Sequence, residues 1–282
     1  MKTNIHVTSV TDPNPVAEAE MFAEERQLKI AELVAARNRV TVTELADLFT
    51  ITQETVRRDL AALETARTLR RVHGGAVAMD RLSMSEPSLD ERATKQLQQK
   101  SRIADAAANL IPSSRTGSII LDAGTTTALL ADRLSGWTPA SPGDALLVIT
   151  NAVPIAYKLS GNPEIQLEIL GGRVRGLTSA VVGRTAIEQL ETLRPDIAFI
   201  GANGVHPEFG FSTPDPVEAA VKTSIVRAAR RVVALVDSSK LGEETLVRFA
   251  ALGDVDTVIT DAPPAEDLAD ALAVTGVELV IA

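Results

Sequence analysis

Hydrophobic residues recur at helical spacing in residues 52–76. Val56, Leu60 and Leu63 stand at positions i, i+4 and i+7, which places them on one face of a helix. Thr52 precedes this pattern and is a favourable N-cap residue. We therefore predict a helix that starts after Thr52, buries one face and exposes the other. The polar residues on or beside the exposed face are Gln53, Glu54, Thr55, Arg57 and Arg58.

A shorter amphipathic segment, residues 43–49, precedes this helix, and Thr43 is its expected N-cap. Residues 50–52 join the two segments. A helix, a short turn and a longer helix with arginines in its first half form the pattern of a helix-turn-helix. Such helix pairs also occur in many other folds, so the pattern alone leaves those open. A first helix is predicted over residues 24–37, with Leu28, Ala31, Leu33 and Val34 facing inward.

The residues after the longer helix predict a basic β-hairpin. Residues 69–72 and 73–77 read as two short strands around a glycine turn, and Val40 and Val42 are expected to add a third strand. The N-terminal part of the chain therefore predicts a winged helix-turn-helix. The residues expected to contact DNA are Thr43, Thr52, Gln53, Glu54, Thr55, Arg57, Arg58, Arg70, Arg71, His73 and Gly74.

Three short motifs make this prediction more specific. They are RRDL at residues 57–60, LE at 63–64 and RVHGGA at 71–76. Their order and spacing resemble the DNA-binding signature of the DeoR family of bacterial regulators of sugar metabolism. Members of that family usually have a glycine where this chain has Arg67 and Thr68, at the left-handed residue that ends the helix. Here we expect that Arg67 adopts this conformation or that the helix ends differently.

Short apolar runs alternate with helical patterns in the rest of the chain. The runs are residues 119–121, 146–149, 167–170, 197–200, 232–236, 255–259 and 277–281. The helical segments between them are residues 128–134, 153–159, 185–193, 217–229 and 265–275. This texture is typical of a mainly parallel sheet with helices on both faces. The predicted fold class is α/β, with an N-terminal winged helix-turn-helix and a C-terminal mainly parallel α/β sheet domain.

Polar or small residues follow five or more of these runs, where ligands bind in a parallel sheet. The sequence DAGTTT at residues 122–127 precedes a helix, so its backbone N–H groups are suited to an anion. Any single loop is also explained as a tight turn with a helix cap, but the set predicts a polar pocket. The candidate ligand-binding residues are Asp122, Gly124, Thr125, Thr126, Thr127, Asn151, Gly171, Gly172, Arg173, Asn203, Glu218, Lys222, Asp237 and Lys240.

These blocks resemble the effector domain of the DeoR family, and the resemblance extends over about residues 21–282. It implies a domain related to ribose-5-phosphate isomerase that binds phosphorylated sugars. It further implies a phosphate site at residues 124–127, with Asp122 and Lys222 near the sugar. Glu218 and Lys222 are four residues apart on one predicted helix face. The resemblance places them in the pocket, and the alternative is an exposed ion pair that contributes only ~0.3–0.5 kcal/mol.

The composition fits a two-domain protein with a large core. The chain has 282 residues, 45% of them hydrophobic, and no cysteine. A reducing cytoplasm is the simplest setting for such a chain, and no apolar run approaches the ~18 residues of a membrane span. Three scattered histidines argue against a His-based metal site, and no cofactor is expected. The predicted segments are a disordered tail (1–20), the DNA-binding domain (21–78), a linker (79–92) and the effector domain (93–282).

The net charge of −9 is unexpected for a DNA-binding protein until it is divided along the chain. Residues 21–79 carry nine basic and eight acidic side chains, whereas residues 80–282 carry 18 and 26. Residues 52–76 alone hold five arginines and three acids, which leaves a positive face for phosphates. Without the motifs, an arginine-rich solvated helix would explain the same pattern.

The family also has an acid, an arginine and a lysine at the positions of Glu86, Arg92 and Lys100. We expect these three residues to tie the linker to the second domain.

Two classes of function remain open. The first is a DNA-binding transcriptional regulator, a repressor of sugar uptake or catabolism genes that a phosphorylated sugar releases from operator DNA. The resemblance suggests fructose 1-phosphate as the sugar and a homodimer or homotetramer as the assembly. The second class is an aldose–ketose isomerase, in which Asp122 or Glu218 acts as base and a lysine as electrophile.

Overall fold

A computed structural model of the chain describes residues 22–37, 39–66, 68–72, 74–78, 86–111 and 117–282. The chain forms two compact units, Met1–Leu82 and Ser83–Ala282, and the division between them falls inside the predicted linker. The predicted disordered tail, Arg67 and His73 lie outside the described residues.

The first unit has three helices and a three-stranded antiparallel sheet among its described residues. In chain order these are α1 (Ala23–Arg37), β1 (Arg39–Thr41), α2 (Val42–Phe49), α3 (Gln53–Thr65), β2 (Leu69–Val72) and β3 (Gly75–Ala78). The strand order is β1-β3-β2, so β1 pairs with the hairpin as predicted. This arrangement confirms the winged helix-turn-helix.

The core of the first unit lies between the three helices and the sheet. Val56, Leu60 and Leu63 are buried, which confirms the predicted inner face of α3. The inward face of α1 was predicted wrongly at Leu28, which is 62% exposed, because the buried pair on that helix is Ile30 and Val34. Residue 28 lies two positions, or about 200°, from residue 30 around the helix and therefore points away from the core.

The N-cap of helix α2 lies two residues earlier than predicted. It is Thr41, whose side chain accepts from the Glu44 N–H while the Glu44 carboxylate accepts from the Thr41 N–H, forming a capping box. The prediction of Thr43 as the cap was therefore wrong, and Val42 is the first helical residue rather than part of a strand. The helix ends at Thr50, which has a left-handed backbone with φ of 52°. The turn to α3 is short because this residue reverses the chain at once.

The second unit contains seven described helices and twelve strands. In chain order these are α4 (Leu89–Thr94), α5 (Leu97–Ala108), β4 (Gly117–Leu121), α6 (Thr125–Leu134), β5 (Leu146–Thr150), α7 (Val153–Leu159), β6 (Ile165–Ile169), β7 (Arg173–Arg175), β8 (Ala180–Val182), α8 (Arg184–Glu191), β9 (Ile197–Ile200), β10 (Gly204–His206), β11 (Gly210–Thr213), α9 (Pro216–Ala228), β12 (Arg231–Leu235), β13 (Val247–Ala250), β14 (Thr257–Thr260), α10 (Glu266–Val274) and β15 (Glu278–Ile281).

Seven of these strands form one parallel sheet in the order β15-β14-β12-β9-β4-β5-β6. Each of the seven predicted apolar runs supplies one of them, which confirms the parallel α/β fold. The chain passes from β4 outward to β5 and β6, then returns to β9 on the other side of β4 and continues to β12, β14 and β15. The sheet therefore has its topological switch point between β4 and β9, where a ligand crevice is expected at the carboxyl ends.

Alternate residues of the strands pack on opposite faces of the sheet. Ile119 and Leu121 of β4 belong to a buried cluster that includes residues of α5, α6 and α7. Ile120 belongs to a second cluster, which includes residues of α8, α9 and α10. Both faces are therefore covered, as the continuous apolar runs predicted.

Candidate functional site

Helix α3 presents an exposed polar face in the first unit. Its N-cap is Thr52, whose side chain accepts from the Thr55 N–H at 3.2 Å, as predicted. Arg57 and Arg58 are both exposed, and their guanidinium groups lie 3.8 and 3.7 Å from the Glu54 carboxylate. Such exposed pairs contribute little stability and exchange readily with other anions. The two arginines can therefore turn toward a phosphate group at little cost.

The hairpin lies beside this face. Gly74 has φ of 76°, which a glycine adopts without strain, and the Arg71 N–H donates to the Glu64 carboxylate of α3 at 2.9 Å. Arg70 and Arg71 are exposed. The hydrogen bond from the Arg71 N–H ties the β2–β3 hairpin to α3, which we call the recognition helix. Gly75 admits no side chain, because an added Cβ would lie 2.1 Å from the Val40 carbonyl oxygen.

A cleft of about 390 Å³ joins α2, α3 and the hairpin. Its lining includes five of the predicted DNA-contacting residues: Thr43, Gln53, Arg57, Arg71 and Gly74. Residues predicted from three separate stretches of sequence thus share one surface. We call the exposed side of α3 together with the adjoining hairpin the recognition surface.

Asp59 of the recognition helix belongs to the RRDL motif but was not among the predicted site residues. It is buried, and its carboxylate accepts from Arg26 Nε at 2.6 Å and from Gln27 Nε2 at 2.9 Å. Both donors belong to α1, so Asp59 fixes α3 against that helix. The signal was present in the sequence, because Asp59 falls three residues after Val56 on the buried face of the helix.

In the second unit, two of the predicted ligand-binding residues, Asp122 and Lys222, meet at the switch point. Asp122 follows β4 and is 1% exposed, and its carboxylate contacts the Lys222 ammonium of α9. The same carboxylate accepts from the Gly201 N–H after β9 at 3.2 Å, and Lys222 donates to the Gly201 carbonyl at 2.9 Å. These contacts bridge the ends of the two strands that flank the crevice.

The Asp122 carboxyl is chemically unusual. Burial raises its pKa above the ordinary value, while the charge and hydrogen bond of Lys222 oppose that effect. Its second oxygen, Oδ1, is buried and accepts no hydrogen bond from the described residues. A buried oxygen without a donor is costly, so this atom is suited to accept a hydroxyl or N–H group from a ligand.

Glu218 and Lys222 do not form the exposed ion pair that was one alternative for them. Both are buried, and they face different partners. The Glu218 carboxylate accepts from Arg175 at 3.1 Å and from the Thr178 hydroxyl, whereas Lys222 contacts Asp122. Helix α9 therefore carries two separate polar contacts one turn apart.

The loop between β4 and α6 places backbone N–H groups at a helix N-terminus. Thr125 and Thr126 open α6, a helix of 10 residues. The Thr127 hydroxyl donates to the Asp122 carbonyl at 2.7 Å, and Asn151 Oδ1 accepts from the Ala123 N–H at 2.9 Å. Thr127 and Asn151 thus hold the shape of the loop, while the N-terminus of α6 is the part suited to an anion.

The remaining predicted residues lie at the same sheet edge but already have local roles. The Gly171 N–H donates to Gln189 Oε1 at 2.8 Å, Asn203 Oδ1 accepts from the Thr213 hydroxyl at 3.1 Å, and Asp237 caps the turn that contains Lys240. Gly172 has φ of 150° and leaves no space for a Cβ against the Val182 carbonyl. Arg173 begins β7 and is exposed. These contacts explain the loop shapes without a ligand.

Lys100 was expected to tie the linker to the second domain, and it makes such a contact. It is buried, and its ammonium donates to the Arg92 carbonyl at 2.6 Å and the Lys95 carbonyl at 2.7 Å, fixing the turn from α4 to α5. Burial lowers the pKa of Lys100 to about 8, although the nearby Asp237 charge opposes this effect. Lys240 also contributes to the lowering of this pKa.

This low pKa predicts a pH dependence of stability. An unshifted lysine has a pKa of 10.5, so between about pH 8 and pH 10.5 the unfolded chain binds more protons than the folded chain. The free energy of unfolding of the wild type minus that of a Lys100→Met variant should therefore rise between these pH values. Urea unfolding of both proteins at each pH measures this difference in the free energy of unfolding, and Lys158→Met is the surface control. A difference that stays constant or falls would contradict the assignment.

The described residues contain neither a helix that could span a membrane nor a cluster of metal-binding side chains. None of the described helices is long and apolar enough to cross a membrane. Nor do the described His, Asp and Glu side chains form a group of three or more placed to hold a metal ion.

Comparison with known proteins identifies both units. Residues 26–81 match the DeoR-like helix-turn-helix domain, and residues 95–262 match the DeoR C-terminal sensor domain. The chain is 36% identical to the uncharacterized HTH-type transcriptional regulator FruR of Bacillus subtilis over 86% of this chain and 92% of that protein. It is 31% identical to the transcriptional repressor GlcR of Bacillus subtilis, over 93% and 97%.

Two further similarities are to a second named repressor and to a solved structure. The glycerol-3-phosphate regulon repressor of Escherichia coli is 31% identical over 85% of this chain and 91% of its own length. A structure of ribose 5-phosphate isomerase A from Methanocaldococcus jannaschii aligns over 52% of this chain and 55% of its own, with a TM-score of 0.37 and 22% identity. The two family matches and the near full-length relatives agree with the recognition surface, and the chain belongs to the DeoR family of helix-turn-helix transcriptional regulators.

Proposed function

We propose that this protein is a cytoplasmic repressor of sugar uptake or catabolism genes, released from its operator when a phosphorylated sugar binds the second unit. The observation that carries the proposal is the recognition surface, where α3 and the hairpin expose arginines and Gln53 on one side of a rigid winged helix-turn-helix. A surface of this kind contacts phosphates with its arginines and base edges with the first residues of the helix.

The effector is proposed to be held at the crevice between β4 and β9. The N-terminus of α6 at Thr125 and Thr126 is suited to the phosphate, and Asp122 with Lys222 is suited to the sugar hydroxyls. Fructose 1-phosphate is our proposed effector, because regulators of this family respond to sugar phosphates and the N-terminus of α6 is suited to a phosphate group. A homodimer or homotetramer is proposed because two recognition helices on paired half-sites gain affinity and specificity.

The isomerase alternative is less well supported. Lys222 is bound to the Asp122 carboxylate, and Glu218 is bound to Arg175 and Thr178. Of the two candidate bases, Glu218 is occupied by a cation and a hydroxyl, which disfavours its action on a substrate proton, whereas Asp122 keeps one oxygen without a donor among the described residues. The relatives with named activities in the comparison are transcriptional regulators and repressors.

Two substitutions on α3 test the proposal. Arg58→Ala is expected to weaken binding to operator and random DNA alike and to reduce the salt slope by about 1, because it contacts a phosphate. Gln53→Ala is expected to cost about 1–3 kcal/mol on the operator only, because it reads a base edge. Fluorescence anisotropy at several salt concentrations measures both effects.

Lys29→Ala is the control, since Lys29 is an exposed cation of α1 paired with Glu25. It should change neither the affinity nor the salt slope appreciably. If Arg58→Ala weakens operator binding alone and leaves the salt slope unchanged, Arg58 reads a base and this division of roles is wrong.

A further inference from the structure

Arg175 stands at the centre of a cluster of carboxylates in the second unit. Its guanidinium lies 2.7 Å from Glu86 Oε2, 3.1 Å from Glu218 Oε1 and 3.1 Å from Asp215 Oδ2. The side chains of Glu86 and Glu218 are 2% and 7% exposed, so these contacts are largely shielded from water. One cation therefore contacts three acids that come from two distant parts of the chain.

The acids mark two functionally different segments. Glu86 follows closely on the division of the chain at Leu82 and Ser83, and is thus near the start of the second unit. Asp215 and Glu218 belong to the cap and first turn of α9, where Asp215 accepts from the Glu218 N–H at 2.9 Å. Arg175 thus joins the segment that leads from the DNA-binding unit to the first turn of α9.

The same helix reaches the proposed effector crevice one turn later. Lys222 is four residues after Glu218, which is about 6 Å along the helix axis. It contacts Asp122 and the Gly201 carbonyl at the ends of β4 and β9. Because a helix moves as a stiff piece, a displacement of Lys222 by a ligand also displaces Glu218.

The charges of the cluster make Arg175 necessary to it. Arg92 Nη1 is 3.6 Å from Glu86, so two cations face three carboxylates. Burial and the Glu218 charge raise the pKa of Glu86, and Arg92 and Arg175 oppose that rise. Loss of Arg175 leaves Glu86 and Glu218 as neighbouring like charges, and these repel each other.

We propose that Arg175 is a positioning residue that couples the effector crevice to the segment entering from the DNA-binding unit. A ligand at Lys222 shifts α9, the shift alters the contact between Glu218 and Arg175, and the hold of Arg175 on Glu86 changes with it. The proposal rests on the proposed function, because it requires an effector that alters DNA affinity. The contacts of Arg175 with Glu86 and Glu218 would then carry the free energy that couples effector binding to DNA binding.

The first test is ligand-free and uses the full chain. Hydrogen exchange is compared in wild type, Arg175→Gln and the control Arg184→Gln, whose guanidinium is 90% exposed and paired with Glu188 within one helix. Arg175→Gln should speed exchange at least about tenfold in residues 86–94 and in the first turn of α9, corresponding to ~1.4 kcal/mol of lost protection. Protection equal to that of wild type in both segments would overturn the proposal.

The second test measures coupling with fructose 1-phosphate as the probe, and with glycerol 3-phosphate in parallel. Glu86→Gln is the milder variant, since Arg175 keeps Glu218 and Asp215 as partners. The ratio of operator Kd with and without the probe should fall toward 1 in both variants. The Kd of the probe for DNA-free protein should stay within about threefold of wild type.

The outcomes separate this proposal from the proposed function. If neither probe alters wild-type DNA binding, the effector assignment fails, and the exchange experiment alone decides the role of Arg175. If wild type responds and Glu86→Gln responds equally, Arg175 does not couple the two segments. If Arg175→Gln fails to fold, Glu86→Gln supplies the decision by the same ratio.

Discussion

Asp59→Ala should cost the first unit about 3 kcal/mol of folding free energy and remove operator binding by the full chain. The Asp59 carboxylate is 5% exposed and meets Arg26, which is 11% exposed, at 2.6 Å. Breaking a buried ion pair from one side typically costs roughly 3–5 kcal/mol, because the remaining charge loses its counter-ion in a site that water reaches poorly. Gln27 also loses its acceptor.

A loss of about 3 kcal/mol of folding free energy is large for the first unit, Met1–Leu82. Stability of roughly 0.05–0.15 kcal/mol per residue gives a small domain only a few kcal/mol in total. Asp59 and the apolar residues beside it hold α3 against α1, so the recognition helix would lose its position before the second unit changes. The expected signature is therefore loss of DNA binding with retained effector binding.

Hydrogen exchange and DNA titration of the full chain check this expectation. Asp59→Asn should lie between wild type and Asp59→Ala, since its amide oxygen still accepts from Gln27. Asp47→Ala, at an exposed position of α2, is the matched control and should leave protection of α3 unchanged. Wild-type operator affinity in Asp59→Ala would show that the ion pair with Arg26 does not position the helix.

Lys222→Ala should destabilise the second unit by about 3–5 kcal/mol, whereas the double variant Asp122→Asn with Lys222→Met should stay close to wild-type stability. The single change leaves a fully buried carboxylate to which, among the described residues, only the Gly201 N–H donates. The double change removes both charges together, and the amide oxygen that replaces the Asp122 carboxylate still accepts from that N–H. Both changes remove the cation proposed to face the effector.

The double variant is the informative one for function. It should bind operator DNA within about threefold of wild type and should no longer be released by the phosphorylated sugar. The exposed pair Lys158 and Asp132, 2.7 Å apart, gives the matched control as Lys158→Met with Asp132→Asn. That control should lose less than about 1 kcal/mol and should keep its response. Normal release of the Asp122/Lys222 variant would show that the effector binds elsewhere.

The main architecture was predictable because its signals are local. The inner strands of the parallel sheet contain short apolar runs, whereas the edge strand β6 alternates as IQLEI. The period of Val56, Leu60 and Leu63 defines α3 without knowledge of its partners. The short strands β7, β8, β10, β11 and β13 were not predicted, since they lie outside the parallel sheet and most of them contain polar residues or glycine. Helix α5 was also missed, because its buried face combines Lys100 and the weakly hydrophobic Ala104 and Ala107 with a single large apolar residue, Ile103.

Side-chain partners were less predictable because they depend on distant residues. The spacing of Glu218 and Lys222 placed both on one helix, but it gave no sign that Arg175 faces one and Asp122 the other. Sequence likewise put the helix cap at Thr43, although the strand that ends at Thr41 determines where α2 begins. Resemblance to the family pointed to Asp122 and Lys222, and the fold brings these two residues together from 100 positions apart.

We propose that the protein binds operator DNA through its first unit and releases this DNA when a phosphorylated sugar binds its second unit. The most direct measurement is a titration of the full chain on DNA from its own promoter region, with fructose 1-phosphate, glycerol 3-phosphate and neutral fructose. We expect the full chain to bind this DNA specifically. One phosphorylated sugar should weaken the binding by about tenfold or more, ~1.4 kcal/mol, while neutral fructose has no effect. Sustained isomerisation of a sugar phosphate with no change in DNA affinity would contradict this proposal.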